Sequence, residues 1–199
     1  MFYQIAERVY FYLEKKNILD DEDKEVYIYA LEIIILNMLL LFALFAISLF
    51  LNKIDFFVCY LSFFVPIRIF SGGYHFKRSE VCFVVSIGIY VLMMMSVDKI
   101  CVNEGGRWGF ITVVLMFLVA IFSPLENENH PMTNVQRKRN KWISRIILTI
   151  DVMSLLILYT TNNPLLINVV VLLLLNGMLF LIGVLVNSKK LIKGELEYD

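Results

Sequence analysis

His75 and Cys82 are the side chains in this sequence best suited to covalent chemistry on a peptide bond. A cysteine thiolate is a nucleophile, and an imidazole beside it can accept the thiol proton and later donate one to a leaving amine. Histidine fits that task because its unperturbed pKa lies close to neutral. The two residues stand seven apart in the sequence. In one unbroken helix that spacing puts them on the same face but about 10.5 Å apart along the axis, beyond hydrogen-bond reach. His75 is therefore expected on a loop or a bent-back turn, which Gly72 and Gly73 free sterically, with Cys82 in the first turn of the following helix. A helix amino terminus favours the thiolate, and so would Arg68, Lys77 and Arg78.

Arg68 lies at the end of an apolar run, where a guanidinium binds a substrate carboxylate, supports the site or snorkels to the interface. Glu80 is placed either to orient His75 or to favour the start of a helix by its charge. Glu126 and Asn129, in a polar loop further along, are alternative orienting partners. Cys59 and Cys101 read as small buried hydrophobes and His130 as a loop residue. The three cysteines are odd in number, widely spaced and free of any CxxC pattern, so neither a disulfide framework nor a zinc site is indicated. No metal ion and no cofactor is expected.

The elements that position these residues are written for lipid. Hydrophobic residues make up 59% of the 199 and charged residues 18%, with a mean hydropathy of +0.74. That is more apolar surface than a single soluble core of this length hides. Crossing an apolar slab of roughly 30 Å takes about 20 helical residues. Four runs qualify clearly, Tyr27 to Leu51, Val81 to Ile100, Ile143 to Thr160 and Pro164 to Val186. Two are shorter and are expected to be tilted or partly re-entrant: Ile54 to Phe70, which contains Pro66 and Arg68, and Trp108 to Phe122. The expected fold is thus all-α, a polytopic membrane protein of about six transmembrane helices.

If all six segments cross, 15 of the 18 basic residues fall on one side, with only Lys53, Lys99 and Arg107 on the other. Basic residues near membrane ends accumulate in the cytoplasm, so both termini are expected there. Residues 1–26 are expected to form a cytoplasmic amphipathic segment, with Ile5, Val9, Tyr12 and Leu13 at helical spacing, and to lack a signal peptide. Residues 27–186 form the membrane domain, with a cytoplasmic polar loop at 123–142, and residues 187–199 a cytoplasmic tail. Glu32, Asn37 and Asp151 fall inside spans and suggest hydrogen bonding between helices. The formal charge is zero, which gives no reason to expect nucleic acid as a partner, and the basic cluster Arg137 to Arg145 points to anionic lipid.

The pattern Arg68-x-x-x-Gly72-Gly73-x-His75 followed by Cys82 resembles the AgrB family of bacterial quorum-sensing peptidases. The loop Ser-Pro124-Leu-Glu126-Asn-Glu-Asn129-His-Pro131 is similar to the proline, acidic and Asn-x-Pro pattern of that family, and length, six-segment layout and amphipathic start extend the resemblance over the whole chain. It implies a cysteine endopeptidase of the bacterial cell membrane that removes the acidic carboxyl-terminal tail of an AgrD-like precursor. Cys82 would hold the remainder as an acyl thioester, and a substrate thiol would capture it as a cyclic thiolactone. The resemblance is compatible with a homodimer. Two other classes compete: a peptide carrier or exporter in which Arg68, His75 and Asp151 line a path, and a non-catalytic membrane scaffold. The small bundle without repeated halves weighs against the carrier.

Overall fold

A helix is the natural way for a lipid-facing chain to satisfy its own backbone donors and acceptors, and the apolar runs obey that rule. The computed structural model describes residues 2–16, 24–73, 79–99, 105–125 and 132–192. Their helices are α1 (Phe2–Glu14), α2 (Lys24–Phe50), α3 (Ile54–Cys59), a π-helical turn (Tyr60–Phe64), α4 (Val65–Ser71), α5 (Ser79–Val97), α6 (Gly105–Phe122), α7 (Asn134–Thr160) and α8 (Leu165–Ile192), and no strand occurs among the described residues. Five stretches are long and apolar enough to cross a membrane: Lys24–Phe50, Ile54–Ser71, Glu80–Val97, Asn134–Thr160 and Leu165–Val186. Arg107–Phe122 is a shorter apolar helix. The chain is a polytopic helical membrane protein.

The helix at the centre is α8. Leu166, Ile167, Val169, Val170, Val171, Leu172, Leu173, Leu175 and Phe180 are all buried, so its apolar residues are covered nearly all round, as expected of a helix enclosed by others. It packs against α3, the π turn, α4, α5, α6 and α7. By contrast α2 fully buries only Ile28, Leu36, Leu44 and Ser48; Leu31, Ile35, Leu40, Leu41 and Ile47 are partly covered, and exposed apolar side chains such as Ile34, Met38, Phe42 and Leu49 face outward. Asn37 is among the outward ones and does not bond between helices. Instead of lying alone, α1 packs Ala6 and Tyr10 against Ile28 of α2, with the Tyr10 and Tyr27 rings stacked at 6.5 Å. Its far end brings the Phe2 ring to 6.5 Å from that of Phe83 on α5.

The segment from Ile54 to Ser71 is continuous but not uniform. Pro66 has no N–H to give, and the wider π turn stands immediately before it, with the Val65 N–H bonded to the Tyr60 carbonyl. The Phe64 carbonyl accepts from Asn176 Nδ2 of α8 at 3.0 Å. At one end of the bundle Lys53 pairs with Asp98, tying the turn between α2 and α3 to α5. Asn52 and Asn162 take the left-handed conformation at the tight turns, a conformation asparagine tolerates better than most residues. At the opposite end the stretch read as a polar loop is partly helical. Thr133 caps α7 and forms a capping box with Gln136, so the basic run Arg137 to Lys141 stands on the extended first turns of that helix.

Candidate active site

Gly72 ends α4 with φ 74° and ψ −157°, a combination open in practice only to glycine, and Gly73 follows at φ 145°. These positive φ values turn the chain sharply at the end of α4. A Cβ at Gly72 would lie 2.5 Å from the carbonyl oxygen of Leu125, so that backbone occupies the space a side chain would need. Contact is reinforced next door, where the Leu125 N–H donates to the Ser71 carbonyl at 2.8 Å. The Ser71 hydroxyl turns back to donate to the Ile67 carbonyl at 2.8 Å. Two residues before Leu125, the Ser123 and Ser144 hydroxyls share a buried hydrogen bond of 2.6 Å. The end of α6 thereby joins the glycine turn to α7.

The Arg68 guanidinium lies over this turn. Its Nη1 donates to the Gly72 carbonyl at 3.5 Å, and a Cβ on Gly73 would fall 1.7 Å from the same nitrogen. It also lies within electrostatic range of the Cys82 thiol and the Tyr60 hydroxyl. Cys82 is the fourth residue of α5, half-buried and free of any disulfide, so it occupies the first turn as the spacing required. Glu80 is exposed in that same turn, where its charge favours the helix start. Arg68, Gly72, Gly73 and Cys82 are thus brought to one end of the bundle. His75, Glu126, Asn129, His130 and Cys101 lie outside the described residues. Cys59 is buried beside Asn168.

Tyr60 carried no sequence signal. It stands eight residues before Arg68. In an unbroken α-helix that separation leaves two side chains about 80° apart around the axis. A π turn absorbs an extra residue and swings them toward one face. The Tyr60 ring stacks on Phe64 at 4.8 Å and meets Tyr90 edge-on at 5.1 Å, which fixes its place. Leu125 was equally silent, because it acts through its backbone. Among the described residues no group of three or more His, Cys, Asp or Glu side chains could hold a metal ion.

This arrangement sets a half-buried free thiol at one end of an apolar bundle, with a guanidinium within electrostatic range of it. No solved structure matches the chain. The Accessory gene regulator protein B of Staphylococcus aureus (strain bovine RF122 / ET3-1) is 29% identical over 148 residues, covering 73% of this chain and 78% of that protein. The family described as Accessory gene regulator B matches residues 6–184, nearly the full length and including every residue of the candidate site. The chain therefore belongs to the Accessory gene regulator B family, which ties it to the quorum-sensing system of that name.

Proposed function

We propose that this protein is a membrane cysteine endopeptidase that matures a quorum-sensing peptide, with Cys82 as nucleophile and His75 as base. The observation supporting this reading is that Arg68, which lies over the Gly72-Gly73 turn, is within electrostatic range of Cys82 in the first turn of α5, with His75 two residues beyond the turn in the sequence. The Cys82 thiol gives its proton to His75 and attacks the carbonyl carbon at the precursor's cleavage site. The C–N bond breaks, the amine of the departing tail takes the proton from the imidazolium, and the precursor remainder is left on Cys82 as a thioester. A substrate thiolate then attacks that thioester, forming the ring thiolactone and returning the Cys82 thiolate. The exchange replaces one thioester by another, so it competes with hydrolysis only where water is kept out. A site at the edge of an apolar bundle meets that need.

In this reading the substrate is an AgrD-like precursor with an acidic tail. Arg68, Gly72 and Gly73 hold the site in shape, and Glu80, Glu126 or Asn129 orients His75. Co-expression with the precursor, followed by mass spectrometry of the peptide products, provides the test. Cys82→Ala and His75→Ala should release no tail, whereas Cys59→Ala should release it at the wild-type level. Tail release by the Cys82→Ala protein would contradict the proposal and bring a carrier role forward.

A further inference from the structure

Two buried polar atoms have no partner among the described residues: Oδ2 of Asp151 on α7 and Oδ1 of Asn176 on α8, whose side chains are 3% and 1% exposed. Packing places them at one depth. The Leu125–Ser71 and Ser123–Ser144 bonds put Ser71, at the end of α4, and Ser144 on α7 in a common layer. α4 and α7 pack side by side, and seven residues deeper along each come Phe64 and Asp151, about 10 Å further into the bundle. Asn176 joins that layer through its bond to the Phe64 carbonyl. Both α7 and α8 therefore back the broken helix at the same point.

Both unpartnered atoms are acceptors. The Phe64 carbonyl needs a donor, so it fixes the Asn176 amide with nitrogen toward the π turn and oxygen away from it. An ionised carboxylate likewise offers only lone pairs. On the helices around Asp151 the titratable groups are Arg68 of α4, Arg107 of α6 and, on α7 itself, the basic residues ending at Arg145 together with Tyr159, while the described side chains of α8 contribute none. The Asp151 carboxyl keeps one oxygen without a hydrogen-bond donor among the described residues. Apolar surroundings tolerate an uncompensated charge poorly. One proton removes the charge and converts an acceptor into a donor.

We propose that Asp151 and Asn176 form a proton-binding site inside the membrane, in which the neutral acid donates its O–H to Asn176 Oδ1 and ties α7 to α8 behind the broken helix. Loss of the proton removes this bond, leaves a charge in the layer and loosens the packing behind α4, the helix that ends in the Gly72-Gly73 turn. An effect on precursor cleavage rests on the function proposed above; the site itself does not.

Infrared spectroscopy of the full-length protein in lipid nanodiscs reads the proton independently of cleavage. At neutral pH the wild type should show the carbonyl stretch of a protonated carboxylic acid, lost in Asp151→Asn, shifted in Asn176→Leu and lost again as pH is raised. Asp151→Asn retains a donor toward Asn176, so it should stay folded and lose the decline in thermal stability that the wild type shows as pH rises from about 4, where a free aspartate ionises, until the folded protein gives up the proton. Absence of the band at neutral pH would mean that water or a cation meets the two acceptors, and would overturn the proposal. So would a band that survives in Asp151→Asn or keeps its frequency in Asn176→Leu. A wild type that displays the band but cleaves no precursor would contradict the peptidase reading while leaving this site standing.

Discussion

At position 73 a Cβ would meet Nη1 of Arg68, and at position 72 it would meet the Leu125 carbonyl. Gly72→Ala adds a clash to a backbone conformation that costs an L-residue about 1–3 kcal/mol. Gly73→Ala displaces the guanidinium from its place above the turn. If that energy is drawn from positioning, precursor cleavage should fall about tenfold or more in either variant, with membrane insertion retained. Gly88 provides the control, because nothing lies within 4 Å of a Cβ there. Gly88→Ala should cleave normally and change stability by no more than about 1 kcal/mol, toward greater stability. Cleavage assays paired with thermal unfolding separate these cases. At this scale the glycine pair and the placement of Cys82 were legible, since each follows from residue type and spacing. The Leu125 contact was not: it joins two backbones distant in sequence and leaves no side-chain pattern to read.

Apolar runs showed where helices occur, but their ends and interruptions depended on local chemistry that hydropathy overlooks. The charged stretch after Pro131 looked like loop because its composition is polar. The Thr133 and Gln136 capping box, with bonds of 3.0 and 3.3 Å, starts α7 there instead. Thr133→Ala should lower stability by about 1 kcal/mol and fray the basic first turns without altering the apolar remainder of α7. Hydrogen exchange resolved along the helix would show faster exchange confined to those turns. The π turn was also beyond reach from sequence. Pro66 signals an interruption, yet Asn176, which bonds the Phe64 carbonyl at the end of the π turn, stands on α8 far along the chain. Ser123 and Ser144 are another such pair: Ser144→Ala leaves the buried Ser123 hydroxyl alone, and Ser123→Ala leaves Ser144 only a long bond to the Lys141 carbonyl at 3.5 Å. Each should cost about 1–3 kcal/mol in thermal unfolding, with the double variant costing less than the two singles together.

For the molecule as a whole, the sequence indicated a helical bundle through composition, and the charge asymmetry gave its expected orientation. α8 as the central element was not foreseen, because a helix buried by protein and one facing lipid have the same apolar composition. The orientation expected from the charge asymmetry puts both termini and the Thr133 end of α7 in the cytoplasm, so cysteines introduced near Glu14 and at Arg137 should react with a membrane-impermeant thiol reagent only after the membrane is opened, in a background lacking native cysteines. Labelling of either in intact cells would reverse the orientation. The catalysis proposed for Cys82 makes a more direct demand, because in it the acyl group must pass through that one sulfur. Intact-protein mass spectrometry after mixing the protein with a precursor lacking its internal thiol should show an adduct equal in mass to the precursor without its tail, mapped to Cys82 and released by hydroxylamine. An adduct on Cys59 or Cys101, or tail release with no adduct from a Cys82→Ala protein, would contradict it.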